Sequence, residues 1–379
     1  MKMMHLSDLH FGRQLHGYDI SDLQQDVIEQ FVNIIEEEKP DVVLISGDIY
    51  DKTIPSAQAM TLLDDMLVRL EGTPVLIIAG NHDSAERLKF GQSFLQKHNI
   101  HISVMPPQSE EERLKKVVLE DKYGRVNFYL MPFIKPGMVR HFMPEEAAEG
   151  EEKIIEKFLE KENIDESERN VILSHQFYIN CGKNPECSDS EKHRISVGTS
   201  DSVEISVIGK FDYAALGHIH KAQSIGDERF RYCGTPLKYS VSESKNEKSV
   251  TIVTLGEKSS KPDIKTVPLY SKRNVAAFKG TFDEIKNCAT EENKDDYVSI
   301  TLTDEVVPDD VKQKLGAYFN NILEVNIDNV LTRNILSEDI GDFKELTPFE
   351  AFQKFFENRT GNAMNEEEIQ LIKEIIDEI

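Results

Sequence analysis

The chain has 379 residues, 39% of them hydrophobic, and a formal net charge of −24. That length allows two domains with an appendage, and no apolar run approaches the ~20 residues a membrane helix needs. The acidity argues against a protein that coats nucleic acid through bulk charge, but it leaves a nuclease open, because binding follows local potential.

In chain order, Met3–Leu6 reads as a strand. Lys2 is the only early charge, so no signal peptide is expected. A helix is predicted near Ser21–Glu38, where Leu23, Val27, Phe31, Ile34 and Ile35 share a face. Strand Val42–Ser46, a helix near Ser56–Leu70, strand Val75–Ala79 and a helix near Ala85–Lys97 follow. Val126–Met131 reads as a strand and Glu145–Glu162 as a charged helix. Val171–Leu173, Tyr213–Leu216, Phe230–Cys233 and Ser249–Thr254 read as further strands. Helices between the early strands imply parallel pairing, and the closely spaced later strands imply an antiparallel portion. The predicted class is α/β, a mixed sandwich with sheets inside and helices outside.

Composition turns polar at 256–268, where a linker is placed. Beyond it, strands Asn274–Gly280, Tyr297–Leu302 and Leu323–Ile327, with helices Asp283–Asn287 and Pro308–Phe319, make a small α+β unit. The expected division is 1–256, 268–340 and 345–379. In the last part Thr347, Pro348 and Glu350 form a capping box ahead of Phe349, Phe352, Phe355 and Phe356. Asn365 with Glu368 opens a second helix carrying Ile369, Ile372, Ile375, Ile376 and Ile379. Such a pair suits partner docking as well as packing on its own domain. Cys181, Cys187, Cys233 and Cys288 show no CxxC spacing, which fits thiols in a cytoplasmic protein better than disulfides or a zinc site.

Four segments carry the chemistry: Ser7-Asp8-Leu9-His10, Gly47-Asp48-Ile49-Tyr50-Asp51, Gly80-Asn81-His82-Asp83 and Gly217-His218-Ile219-His220. Each follows an apolar run, so its polar side chains fall at strand ends, where α/β folds build sites. Asp8, His10, Asp48, Asn81, His175, His218 and His220 offer carboxylate, amide and imidazole donors without thiolate. That set suits divalent transition ions. Seven donors are too many for one tetrahedral ion and suit two ions sharing a carboxylate, for which Asp48 is the natural bridge. His82 is not needed as a ligand and is placed to protonate a leaving alkoxide. Asp83 is expected to orient His82 or one of the ligands. The Gly-His-x-His segment, read as extended, puts two imidazoles on one side. Arg13, Arg87 and other basic residues recur just after the ligand segments, and His16 and His193 are further candidates for substrate contact.

Asp8-x-His10, Gly47-Asp48, Gly80-Asn81-His82-Asp83, His175 and Gly217-His218-x-His220 resemble the motifs of the calcineurin-like metallophosphoesterase superfamily. Leu6 to Gly12, Ala215 to Gln223, Arg231 to Pro236 and Thr347 to Gly361 resemble, more narrowly, the SbcD family of bacterial nucleases. The resemblance implies that Asp8, His10, Asp48 and His220 hold one Mn2+, and that Asp48, Asn81, His175 and His218 hold a second. It implies His82 as the catalytic histidine, with Asp51, Asp83 and Arg87 as supporting or substrate-contacting residues. Archaeal and eukaryotic relatives carry a histidine where this chain has Asp51. The small second domain would cap the nuclease and orient DNA. The terminal helices would dock on an SbcC-type ATPase, with two copies of each subunit. The expected activity is a metal-dependent 3′–5′ double-strand exonuclease and single-strand endonuclease. The alternatives are a small-molecule phosphodiesterase or phosphatase on the same fold, or a non-enzymatic scaffold.

Overall fold

The computed structural model describes residues 1–192, 202–307 and 309–329. Further on it describes 349–350, 352–353, 356, 364–365, 368–370 and 372. The chain divides into two compact units, Met1–Ala276 and Ala277–Ile379.

The first unit contains two six-stranded sheets. One runs in the order Asp263–Pro268, Ser249–Thr254, Lys2–Leu6, Val42–Ser46, Val75–Ile78, Ile100–Ser103. The other runs Gln223–Ile225, Asp227–Tyr232, Tyr213–Leu216, Arg169–Ser174, Gly124–Met131, Lys115–Asp121. The last four strands of the first sheet are parallel. Helices Ser21–Glu38 and Ala57–Arg69 carry the chain back between the earlier ones. The centre of the second sheet is parallel too, and both sheets have antiparallel edges.

The central strands are mostly apolar because both faces are covered, with buried exceptions such as His5, Ser46, Asn127, Arg169 and Asn170. In Gly124–Met131, Val126, Phe128 and Leu130 pack in a core shared with Val42, Leu44, Leu76 and Ile78 of the other sheet. Tyr129 and Met131 face outward into a second core with Ile154, Ile155 and Phe158 of helix Glu151–Lys161.

In the first unit, three expected element boundaries are corrected. The helix expected over 85–97 is three short pieces, Ala85–Lys89, Gln92–Leu95 and the 3-10 turn Gln96–His98, because Gly91 at φ 73° interrupts it. The helix expected over 145–162 is two, Pro144–Glu149 and Glu151–Lys161, meeting at Gly150 with φ 121°. The linker expected over 256–268 contains a sheet edge. Asp263–Pro268 pairs with Ser249–Thr254 along its full length, and its polarity is that of an exposed edge strand.

The second unit holds the small sheet Val275–Gly280, Tyr297–Leu302, Asn321–Ile327. Helix Phe282–Cys288 starts from a capping box between Thr281 and Glu284. Ile285, Val298, Ile300, Leu315 and Phe319 form its buried interior. The helix expected over 308–319 is a single short stretch, Val311–Leu315. Asn365 and Glu368 exchange the two reciprocal bonds of a second capping box, at 2.8 and 2.9 Å. Most of the helical pair expected over 345–379, including Thr347, Phe355 and Ile375 to Ile379, lies outside the described residues, as does His193. No helix among the described residues is long and apolar enough to cross a membrane.

Candidate metal centre

Both sheets deliver donors at the carboxyl ends of their strands. Asp8 and His10 follow Lys2–Leu6, Asp48 follows Val42–Ser46, and Asn81 and His82 follow Val75–Ile78. From the other sheet, His175 follows Arg169–Ser174, and His218 and His220 follow Tyr213–Leu216. The loops are hydrogen-bonded to one another. The backbone N–H of Asp8 donates to the Gly47 carbonyl (2.9 Å), and that of His10 to the Asp48 carbonyl (3.0 Å). The His82 N–H donates to Asp48 Oδ1 at 2.8 Å, and the His218 N–H to the Asp8 carboxylate at 3.1 Å.

Four of the seven candidate ligands have left-handed backbones: Asp8 (φ 53°), His10 (45°), Asp48 (50°) and His218 (92°). Such residues are uncommon outside glycine, and strain of this kind collects at functional sites. The glycines beside them serve close approach. A methyl group on Gly80 would overlap the Asp48 carboxylate, and one on Gly47 or Gly217 would overlap the His175 ring. The left-handed turn also corrects the expected geometry of Gly217-His218-Ile219-His220. The strand ends at Leu216, so the two imidazoles do not share one face. His218 Nδ1 lies 2.9 Å from Asn81 Oδ1, whereas His220 Nδ1 lies 3.1 Å from Glu243 Oε1.

Backbone carbonyls set the tautomers of two further rings. His175 Nδ1 donates to the Ser46 carbonyl (2.6 Å). Its Nε2 then stands 3.2 Å from Asn81 Oδ1 and 3.4 Å from Asp48 Oδ2. His82 Nδ1 donates to the Asp51 carbonyl (2.6 Å), leaving Nε2 3.8 Å from Asp48 Oδ2. His10 is different: both its ring nitrogens are buried without a hydrogen-bond partner. An orphaned buried polar atom costs about 1–3 kcal/mol, and a coordinated cation removes that cost. Among the described residues, three sets bring their ligand atoms within 4.8 Å of one another: Asp8–His10–His220, Asp8–Asp48–His175 and His10–Asp51–His82. With oxygen and nitrogen donors only, these residues fit divalent metal ions.

The charges are mutually dependent. Burial pushes the Asp8 carboxyl up to about 6. Burial also disfavours a charge on His175, but Asp48 and Asp8 outweigh it and push that imidazole up to about 9. Burial raises Asp48 too, yet His175 and the neighbouring histidines hold it well below the usual carboxylate range. Without a cation, a proton on His175 balances the Asp48 carboxylate.

Asp83 does not touch His82. Its carboxylate accepts from the N–H groups of Gly80 (2.9 Å), Ile49 (3.1 Å) and Tyr50 (3.0 Å), tying two ligand loops together. Arg87 is exposed on Ala85–Lys89 and is not in the cavity wall. His16 is exposed in the turn after Gln14–Leu15. The cavity itself is about 170 Å³, and its wall includes Arg13 and Glu191 beside His10, Asp48, Asn81 and His82. Sequence reasoning missed Glu243, Glu191, Tyr239 and Phe133. Glu243 is fully buried and accepts from His220 and from Lys248 Nζ (2.6 Å). Tyr239 meets the His10 ring edge-on at 5.5 Å, and Phe133 stacks on His218 at 6.3 Å. These four approach from elsewhere in the chain, Glu191 from helix Asp189–Lys192 and Glu243 from the 3-10 turn Val241–Glu243, with no local pattern to mark them.

Residues 1–222 match the family described as calcineurin-like phosphoesterase. Residues 271–360 match SbcD_C, described as the type 5 capsule protein repressor C-terminal domain. Similar solved structures include TT1561 of Thermus thermophilus, with 13% identity over 71% of this chain and 99% of that one, at a TM-score of 0.41. A dimetal phosphatase from Danio rerio has 13% identity over 70% and 95%, at 0.40. The phosphoesterase Yfce from E. coli has 12% identity over 71% and 100%, at 0.27.

Proposed function

This chain belongs to the calcineurin-like phosphoesterase family, and from that premise we propose that it is an SbcD-type nuclease, cutting DNA phosphodiesters with two divalent ions and an SbcC-type ATPase as partner. The observation that carries the reading is the joining, in one chain, of a phosphoesterase domain to an SbcD_C domain at 271–360.

In this reading Asp8, His10, Asp48 and His220 hold one ion, and Asp48, Asn81, His175 and His218 hold the other, with Mn2+ the ion expected in use. Two such ions supply Lewis-acid activation of water and offset charge on the phosphoryl oxygens. The protein's own part is positional. The Asp51 carbonyl fixes the His82 ring so that Nε2 is the atom available to hand a proton to the leaving oxygen. Asp83 holds the loops carrying Asp48 and Asn81 at a constant spacing.

What weighs against the small-molecule alternative is the second domain: a small substrate needs no SbcD_C segment such as the one matched at 271–360. The nuclease domain would be Met1–Ala276, which keeps strand Asp263–Pro268 with its sheet, and in the unit from Ala277 onward the capping role would fall to the residues up to 340 and the ATPase-docking role to 345–379. The protein would work as a homodimer within a heterotetramer, in the cytoplasm, on double-strand breaks and hairpins in repair and recombination.

The test is hydrolysis of a labelled linear duplex with Mn2+, comparing wild type with His82→Ala, alongside bis(4-nitrophenyl) phosphate. Digestion of the duplex that is lost in the variant supports the reading. Turnover of the diester with duplex left intact, even with the ATPase added, rejects it.

A further inference from the structure

Arg13 has no part in the ligand and acid assignments, yet its side chain stands in the cavity wall with Asn81 and His82. It follows the Asp8–His10 turn, and its backbone N–H donates to the His10 carbonyl at 3.0 Å. Its Nη1 donates to Asp51 Oδ1 at 2.7 Å, and its guanidinium carbon lies 5.6 Å from the centre of the Tyr239 ring. A carboxylate and an aromatic face therefore fix the guanidinium plane while engaging one of its nitrogens. Nε is buried without a hydrogen-bond partner. The side chain is 21% exposed, so it reaches solvent through the cavity.

Asp51 makes a second connection. Its carboxylate holds Arg13 and its carbonyl holds His82 Nδ1 at 2.6 Å, so one residue sets the spacing between a fixed cation and the proposed acid. Among the described residues of the cavity wall, Arg13 alone carries a permanent positive charge, in a chain of net charge −24. Glu191 shares that wall, but its carboxylate oxygens accept from the backbone N–H groups of Ser188 and His220. An anionic substrate entering here meets Arg13. The guanidinium fork matches the paired oxygens of a phosphate, which an ammonium does not.

We propose that Arg13, positioned by Asp51 and Tyr239, is the specificity-determining residue that donates to a non-bridging oxygen of the substrate phosphodiester while His82 serves the leaving oxygen. The proposal rests on the phosphoester-hydrolase reading of the site and is independent of whether the polymer is DNA.

The experiment compares the full chain, loaded with Mn2+, with Arg13→Ala and Arg13→Lys. Inorganic phosphate binding is measured by calorimetry, bis(4-nitrophenyl) phosphate hydrolysis by KM and kcat, and metal content by mass spectrometry. Loss of a charge-assisted bond predicts about tenfold weaker phosphate binding and about tenfold higher KM in Arg13→Ala. Metal content should be unchanged, kcat should change less than KM, and Arg13→Lys should recover part of the loss. Unchanged phosphate affinity and KM in Arg13→Ala would overturn the proposal, as would loss of bound metal. If Arg13→Ala fails to fold, Arg13→Lys decides alone, and wild-type phosphate affinity there overturns it. A wild-type chain that binds phosphate through Arg13 and cleaves the diester but spares duplex DNA sinks the nuclease reading and leaves this one standing.

Discussion

His10 sits with two buried ring nitrogens that make no hydrogen bond, and His175 is pushed up to about 9 by the carboxylates around it, against its burial. Below that pH the metal-free site holds a proton on His175, which an incoming cation has to displace. Metal affinity should therefore fall as pH drops from about 9 towards 7, by up to about tenfold per unit for one proton. Binding at neutral pH should also release protons. Calorimetry in buffers of different ionisation enthalpy checks this, and a buffer-independent heat contradicts it. His82→Ala should cut diester turnover by about 10²–10⁴-fold with both ions retained by metal analysis, and loss of both would remove the assignment of His82 as acid rather than ligand. Glu243→Gln should weaken metal binding by about 10–100-fold, because the bond to His220 Nδ1 loses its charge. A fall in Tm should accompany it, since Lys248 loses its buried partner. The donors from Asp8 to His220 were legible because each sits within a few residues of an apolar run. Glu243 was not, because it lies 23 residues from His220 in a 3-10 turn with no repeat to mark it.

Segments with a clear apolar pattern were read with their observed bounds: the one-sided helix Ser21–Glu38 and the buried strands Val42–Ser46, Tyr213–Leu216 and Ser249–Thr254. Lys115–Asp121 escaped because it is an edge strand whose single fully buried side chain is Val117, and its charges guard that edge. Ile100–Ser103 escaped because a half-buried His101 interrupts a short run. Turns set by one glycine, such as Gly91 and Gly150, were passed over because isolated glycines are tolerated in helical patterns. At Gly217 there is no such tolerance. A methyl group there meets the Ser46 carbonyl and the His175 ring. Gly217→Ala should therefore lower Tm and empty the site of metal, read by thermal unfolding and metal analysis. Gly137→Ala, where a methyl meets nothing within 4 Å, should change neither. Equal behaviour of the two variants would mean that the strand end is not tightly packed.

All seven candidate ligands lie in Met1–Ala276, and the SbcD_C match lies almost wholly in Ala277–Ile379. In the proposed function, chemistry and partner docking would thus lie in different parts of the chain. Deleting Thr347–Ile379 should spare diester hydrolysis and abolish recovery of the ATPase in a pull-down. An ATPase still recovered would move docking elsewhere. The class of the first unit was legible from its alternation of strands and helices. The fine boundary was not, because Asp263–Pro268 has the composition of a linker and the pairing of a strand.

The separation of 210 residues between Asp8 and His218 has a consequence for biosynthesis. A chain leaving the ribosome presents Asp8, Asp48 and Asn81 long before His218 and His220 have been made. Its first strand, Lys2–Leu6, also waits for Ser249–Thr254 to complete its pairing. The phosphoesterase is therefore born without a complete centre and acquires one only when most of its sequence has emerged, so a partly made copy lacks some of its candidate metal ligands.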